Sequence, residues 1–246
     1  MEEEGLLLCV FALKFFASGL FYAFTYKVIY VLFYITGGLE NMKDSFTVTA
    51  NPQKVFSTKN ITKIGVLSAL AALLMLLEFP LFFAPFFYQL DFSEVMVLLG
   101  AFSMGPVAGI ITEAIKILLN LALDGTITGG IGEFANFVIG CSFIVPAAIM
   151  YQRNKTKKSA IVGMVAGTIS MAIIGAVMNY YVIIPAYSMM MPLDEIIASG
   201  TEVNSAINSL ESLILLATTP FNLLKGVLTS IIAFLLYKRV SPLLHS

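Results

Sequence analysis

A lysine lies inside a segment that is otherwise built for lipid. Residues 207–237 supply more than the roughly 20 apolar residues that span a bilayer, and Lys225 stands near their middle with Asn222 one helical turn earlier on the same face. A charge at membrane depth costs about 2.5–3.5 kcal/mol on insertion scales. Lys225 therefore needs compensation: from a carboxylate such as Glu133, from snorkelling to the interface, or from a polar ligand.

Further polar side chains are of types that bind small molecules. Amides and an ammonium donate and accept hydrogen bonds, and the aromatic run 82–88 offers flat apolar cover. That run has a second interpretation as an interfacial belt, and Asn179 has one as a cap or a cross-link between helices. The candidate substrate-binding residues are Asn222, Lys225, Asn179, Tyr88, Gln89, Asp91, Glu133, Asn136 and Tyr180.

Residues suited to catalysis are not arranged for it. No nucleophile has a base in evidence, and no carboxylate pair is spaced for acid–base work. Cys9 and Cys141 lie in apolar runs, and His245 is next to last, so the sequence predicts neither a metal site nor a cofactor. Glu113 and Lys116, three residues apart, are interpreted as a self-neutralising structural pair.

The elements that position these residues are membrane-spanning helices. Hydrophobic residues make up 59% of the chain and charged residues 12%, against about 25% charged in soluble proteins. The net charge of −1 gives no sign of the basic surface that nucleic-acid binding requires. Long apolar runs indicate helices rather than a barrel. The sequence thus predicts an all-α polytopic membrane protein with six spans, at 61–80, 92–104, 107–123, 131–151, 159–184 and 207–237.

The chain before the first of these spans divides into two parts. Residues 1–41 form an N-terminal extension with an extra hydrophobic segment, and residues 42–60 form a polar lead-in to a membrane domain at 61–239, which a short tail at 240–246 follows. Thr36-Gly-Gly can be encoded by a purine-rich ribosome-binding sequence ahead of the Met42 codon. We therefore hypothesise two readings of residues 1–41: a leader before a true start at Met42, or an additional helix.

Basic residues set the expected orientation. They cluster at 153–158, at Lys238 and Arg239, and around Lys59 in the lead-in. Placing all three clusters in the cytoplasm satisfies the positive-inside rule. Both termini, counted from Met42, are then cytoplasmic, and the polar candidates gather toward the outside of the cell membrane. The glycine-rich stretch 124–132 lies there too, but it lacks the lysine and strand of a phosphate-binding loop.

Small residues on the first span suggest close helix approach. They are Gly65, Ser68, Ala69 and Ala72, spaced as two small-xxx-small pairs. Such pairs usually pack against the protein's own helices, and docking to a membrane partner is the alternative.

Together these motifs resemble the riboflavin-specific S component of energy-coupling factor (ECF) vitamin transporters. The resemblance covers about residues 55–243, and residues 1–41 have no counterpart in it. It is carried, in order, by Leu90-Asp-Phe-Ser-Glu-Val95, Gly105-Pro-x-Ala-Gly109, Glu113-x-x-Lys116, Thr128-Gly-Gly-x-Gly-Glu-x-Ala-Asn136, Asn179-Tyr-Tyr-x-x-x-Pro185 and Pro220-Phe-Asn-x-x-Lys-Gly226.

The resemblance implies a six-helix subunit that captures riboflavin from outside and docks on a transmembrane coupling protein and two cytoplasmic ATPases. It implies that Asn222 and Lys225 contact the flavin ring, that Asn179 contacts a polar part of the ligand, and that the loop after the first span covers the site. The Ala-x-x-x-Ala-like docking motif of the family falls on Gly65/Ala69 or on Ser68/Ala72.

Three other functions remain as alternatives. One is an S component for another vitamin or flavin. Another is a stand-alone secondary transporter, for which an internal inverted repeat is expected and none is evident. The last is an intramembrane enzyme using Glu113 and Lys116, or Glu133.

Overall fold

A computed structural model describes residues 57–126 and 129–245, with side chains as far as Tyr237. The N-terminal extension, most of the polar lead-in and the last residue lie outside the described residues. The elements, in chain order, are α1 (Thr58–Met75), β1 (Phe79–Pro80), β2 (Gln89–Leu90), α2 (Ser93–Met104), α3 (Pro106–Asp124), α4 (Ile131–Asn154), α5 (Lys157–Met178), a π-helical segment (Asn179–Ile183), α6 (Ile184–Tyr187), α7 (Leu193–Val203), α8 (Leu210–Leu213), a second π-helical segment (Ile214–Thr218) and α9 (Thr219–His245).

The six predicted spans are confirmed. Within the described part of the chain, five helical stretches are long and apolar enough to cross a membrane, and the shorter apolar helix α2 makes the sixth. Two of the five stretches contain the π-helical segments: Lys157–Tyr187 and Leu210–Tyr237. Most predicted boundaries lie within three residues of those observed, because apolar length dictates a span.

The first span ends earlier than expected. Its helix stops at Met75, and the chain then forms a short antiparallel pair in which Phe79 lies opposite Leu90. This pairing closes the aromatic loop back onto the start of α2.

The polar stretch 192–208 also holds more structure than the sequence indicates. It contains α7, whose acidic residues Asp194 and Glu195 lie in the first turn, where the helix dipole favours negative charge. Ile196 from this helix packs with Ile207 and Leu213 in an apolar cluster. Hence α7 covers one end of the bundle.

Close packing brings the helices together around a shared core. α4 packs along α5, α9 packs against α5 and α2, and α1 packs against α2 and α3. Small residues permit these approaches: a Cβ at Gly167 would overlap the carbonyl oxygen of Phe143. The core contains Phe102, Phe143 and Met171, all buried. A second apolar cluster, around Tyr88 and Phe221, lies beside the aromatic loop.

Candidate functional site

A cavity of about 560 Å³ opens between the aromatic loop and the ends of α4, α5 and α9. It lies at the end of the bundle away from the basic residues that begin α1 and α5. Its volume falls within the range usual for small-molecule sites, about 300–1,000 Å³. Seven of the nine predicted binding residues line it: Tyr88, Gln89, Asp91, Asn136, Asn179, Asn222 and Lys225.

Lys225 obtains its compensation from Asp91. The Lys225 ammonium lies 2.7 Å from Asp91 Oδ2, and both side chains are buried. The Glu133 carboxylate that we considered as the partner is not among the residues lining the cavity. Lys225 and Asp91 are 134 residues apart in sequence, so no local spacing reveals the pair.

Asp91 is held by a second set of contacts. Its Oδ1 accepts hydrogen bonds from the backbone N–H of Ser93, at 2.8 Å, and from the Ser93 hydroxyl. Burial alone would raise the pKa of Asp91, but the ammonium groups of Lys225 and Lys116 and these hydrogen bonds outweigh it and lower the pKa to about 2. Asp91 is therefore a fixed anion that anchors Lys225 in the cavity wall.

The amide of Asn222 stands one turn before Lys225. Its Nδ2 donates to the carbonyl oxygen of Thr218 at 2.9 Å. This bond uses one of the two amide N–H groups and no acceptor, so Oδ1 can accept from a ligand. A Cβ at Gly175 would lie 2.6 Å from Asn222 Nδ2, so the glycine on α5 leaves the space that the amide occupies.

Tyr88 ties the loop to both π-helical segments. Its hydroxyl donates to Asn179 Oδ1 at 3.0 Å and lies 2.5 Å from Thr218 Oγ1. Asn179 begins one π-helical segment and Thr218 ends the other. Burial raises the pKa of the Tyr88 hydroxyl above its usual value, so Tyr88 stays neutral. Asn179 thus makes a cross-link of the kind that the sequence analysis considered, and it also lines the cavity.

Aromatic rings form much of the remaining wall. Tyr88 stacks on Phe221 with ring centroids 5.2 Å apart, and Phe87 lies 5.8 Å from Tyr187. From the aromatic loop, Phe86 and Phe87 line the cavity, whereas Phe82 is 94% exposed. The loop thus contributes both cover for the cavity and an outward-facing apolar surface.

Some lining residues were missed by the sequence analysis. Glu78 lies at the end of the first span, where burial raises its pKa first and the carboxylates of Asp91 and Asp124 add to the effect, against the opposing charge of Lys225. Phe221 stands in the Pro220-Phe-Asn motif, and its place beside Asn222 was the one signal for it. Met190 and Met191 belong to a segment that carries no such motif. Conversely, Glu133 and Tyr180 were predicted for the site and are not among its lining residues.

A separate ionic cluster lies deeper in the bundle. Lys116 Nζ is 2.8 Å from Glu113 Oε1 and 2.8 Å from Glu94 Oε1, and all three side chains are buried. The predicted pair of Glu113 and Lys116 is thus present, with Glu94 as a third member that the sequence analysis did not include. None of the three is among the residues that line the cavity.

The small residues of α1 divide into two faces. Ser68 and Ala72 are buried, and the Ser68 hydroxyl donates to the carbonyl oxygen of Thr112 at 3.3 Å. Gly65 and Ala69 lie on the exposed face, and a Cβ at Gly65 would meet no atom within 4 Å. Only the Gly65/Ala69 pair is open to a partner.

Comparison with known proteins agrees with this architecture. Residues 59–237 match the family model described as "ECF transporter, substrate-specific component". The chain is 38% identical over 186 residues to the "Riboflavin transporter RibU" of Staphylococcus aureus (strain TCH60), covering 76% of this chain and 92% of the relative. It is 31% identical to the "Riboflavin transporter FmnP" of Bacillus subtilis (strain 168), covering 75% of this chain and 93% of that protein.

A solved structure described as the "S component of a bacterial ECF transporter" is also similar. It shares 36% sequence identity with this chain at a TM-score of 0.59, and the match covers 76% of this chain and 97% of that one. The relatives are named as transporters rather than enzymes. The chain is a multi-pass membrane protein, and it belongs to the substrate-specific components of ECF transporters.

Proposed function

We propose that this chain is the riboflavin-binding subunit of an ECF-type importer. The observation that carries the proposal is the cavity itself, in which Asn222 and Lys225 stand on one wall and the rings of Tyr88, Phe87 and Phe221 stand nearby. Relatives at 38% and 31% identity are named riboflavin transporters, which supports this ligand over other vitamins.

The chemistry of the ligand suits that wall. The pyrimidine edge of an isoalloxazine alternates carbonyl acceptors with an N–H donor, so an amide can pair with it in both directions and an ammonium can donate to a ring carbonyl. Asn222 and Lys225 supply these two groups. The ribityl hydroxyls require amide or carboxylate partners, and Gln89, Asn136 and Asn179 are the amides at hand.

The capture side follows from charge. Positive residues at the start of α1, between α4 and α5, and after Tyr237 favour a cytoplasmic position for that end of the bundle by the positive-inside rule. The cavity then faces outward, and both termini of the membrane domain are cytoplasmic. Energy for import comes from a transmembrane coupling protein and two cytoplasmic ATPases, with the Gly65/Ala69 face of α1 as the docking surface.

Ligand titration tests the proposal directly. The purified protein is expected to retain a yellow flavin, and riboflavin added to flavin-free protein is expected to lose fluorescence on binding with a dissociation constant well below about 1 µM. Thiamine and biotin serve as controls and are expected not to compete. A dissociation constant above that value, or displacement of riboflavin by either control, would contradict the riboflavin assignment.

A further inference from the structure

An apolar groove runs along the outside of the bundle between α5 and α9. It encloses about 360 Å³, and six of the residues that line it are Ile161, Val165, Ile169, Val227, Ile231 and Leu235. The span from Ile161 to Ile169 corresponds to about 12 Å along the helix axis, less than half of the ~30 Å hydrocarbon core. The groove is therefore shorter than the hydrocarbon layer of one leaflet.

The interior of the groove is almost entirely apolar. Its two hydroxyl groups are occupied within their own helices: Thr168 donates to the carbonyl oxygen of Met164 at 2.9 Å, and Ser230 donates to that of Gly226 at 2.7 Å. With both hydroxyl protons already donated, a polar ligand would find no free hydroxyl donor in the groove and would bury its acceptors at a cost. An acyl chain has no hydrogen bonds to lose on entering the groove, and it would gain close dispersion contacts with both helices.

The helices close the groove at one end. A Cβ at Gly226 would lie 2.8 Å from Thr168 Cγ2, so α5 and α9 are in close contact at this level. The lining residues precede Thr168 on α5 or follow Gly226 on α9, except for Thr168 itself and Ile169. From this contact the groove runs toward the end of the bundle at which α5 begins.

Basic residues stand at that end on both helices. Lys157 and Lys158 are exposed in the first turn of α5, four and three residues before Ile161. The α9 backbone carries Lys238 and Arg239 to the turn that follows Leu235. No carboxylate counters them nearby in sequence, because no acidic residue occurs between Glu133 and Asp194 or after Glu211.

We propose that this groove binds an anionic phospholipid of the cytoplasmic leaflet. One acyl chain lies between α5 and α9, and the phosphate headgroup lies beside Lys157 and Lys158, at the end of the bundle where the α9 backbone also carries basic residues. Basic sites between membrane helices on the cytoplasmic side are suited to such headgroups. The lipid site is remote from the Gly65/Ala69 face, because α1 packs on α2 and α3 rather than on α5 or α9. It does not depend on which vitamin the cavity binds.

Lipid binding to delipidated protein tests the inference. Dioleoyl phosphatidylglycerol and dioleoyl phosphatidylcholine, which share their acyl chains, are added to the protein in detergent, and bound lipid is counted by native mass spectrometry. We expect one phosphatidylglycerol molecule to be retained in preference to phosphatidylcholine. Equal retention of the two lipids by the unaltered protein would overturn the proposal.

Two sets of variants separate the headgroup from the acyl chain. A lysine near the membrane surface contributes about fivefold to anionic lipid affinity, so the double variant Lys157→Gln/Lys158→Gln is expected to weaken phosphatidylglycerol binding by up to about 25-fold. Lys59→Gln, at the start of α1, is the matched control and should change nothing. Val165→Trp fills the groove and should abolish retention of both lipids, whereas Ile173→Trp, exposed on the same helix outside the groove, should not.

The competing occupant is the coupling protein of the transporter. If Val165→Trp left lipid retention intact but prevented assembly with that protein, the groove would be a protein-docking surface, and the lipid proposal would be wrong. The charge variants lie on the surface and do not alter packing, so their result remains decisive if Val165→Trp fails to fold.

Discussion

At the scale of single residues, Lys225 is an ammonium held in place rather than a free charge. Asp91 neutralises it and is itself fixed by Ser93, so the lysine presents its remaining donors to the cavity without a further cost of charge burial. Asn222, also buried, adds an acceptor one turn away. The two side chains together form the polar edge at which a flat ligand would be recognised.

Substitution at that edge should weaken riboflavin binding. We expect Asn222→Ala and Lys225→Ala each to raise the dissociation constant about tenfold to hundredfold, because each leaves a polar group of the ligand unpaired in a buried site. The measurement is fluorescence titration with riboflavin. Glu133→Gln is the matched control, since Glu133 does not line the cavity, and it should leave the affinity within about twofold. Unchanged affinity in both alanine variants would show that the ligand binds elsewhere.

The ion pair of Asp91 should contribute stability with a defined pH dependence. Asp91→Asn leaves Lys225 buried without its counter-ion, which is expected to cost about 3–5 kcal/mol. Because the pKa of Asp91 is lowered from 3.8 to about 2, the folded state holds the anion more tightly than the unfolded chain does. The stability it contributes is complete above about pH 4 and is lost as pH falls through about 2.

Thermal unfolding of the parent and the Asp91→Asn variant, followed by circular dichroism, checks this expectation. The difference in melting temperature should be constant from pH 7 to about pH 4 and should shrink below it. A difference that already declines between pH 7 and pH 5 would show that the pKa of Asp91 is raised above its ordinary value of 3.8 rather than lowered.

At the scale of elements, the spans could be predicted and their deviations could not. Apolar length and composition determine where α1 to α5 and α9 lie, because a membrane admits few alternatives. The two π-helical segments lie where the chain makes tertiary contacts: Tyr88, in a distant loop, bonds both Asn179 and Thr218. Helix α7 is short and largely polar, so its sequence resembles that of a loop. Its buried residue Ile196 packs against residues outside the helix, which the local sequence does not indicate.

The same limit explains the partial prediction of the site. Seven of the lining residues were predicted because they are polar and because the order of the spans places them at one end of the bundle. The pairing of Lys225 with Asp91 and the addition of Glu94 to the buried cluster join separate elements, at separations of 134 and 22 residues. Residue spacing predicts only which side chains are neighbours along one helix. It therefore predicted the pair of Glu113 and Lys116, but it could not predict Asp91 or Glu94, which belong to other elements.

The open face of α1 leads to a prediction about assembly. Large side chains at Gly65 or Ala69 would project from the fold, since both residues lie on the exposed surface and Gly65 has open space around it. We expect Gly65→Leu and Ala69→Leu to leave riboflavin affinity unchanged and to prevent co-purification with the transmembrane coupling protein. The physical reason is that small residues permit the close backbone approach on which helix association in lipid depends.

Ala122→Leu provides the matched control for that experiment, because Ala122 is an exposed alanine on α3. It should neither disturb folding nor reduce assembly. Normal assembly of both α1 variants would show that the docking surface is elsewhere. Loss of riboflavin binding in them would mean instead that the substitutions disturb the fold.

At the scale of the whole molecule, the bundle has two chemically distinct ends. One carries the basic residues that begin α1 and α5 and that follow Tyr237. The other carries the cavity, α7 and the aromatic loop. The positive-inside rule favours the orientation in which the cavity opens to the outside of the cell. The proposed capture of an external vitamin requires that orientation.

Cysteine labelling in intact cells tests this orientation. In a background with Cys9→Ser and Cys141→Ala, a membrane-impermeant maleimide applied from outside should label Met190→Cys, which is 59% exposed and lines the cavity. Thr156→Cys, in the exposed loop between α4 and α5, should react only after the cells are permeabilised. Riboflavin should protect Met190→Cys, because the ligand would occupy the cavity that this residue lines. External labelling of Thr156→Cys with no reaction at Met190→Cys would invert the topology, and the cavity would then open to the cytoplasm.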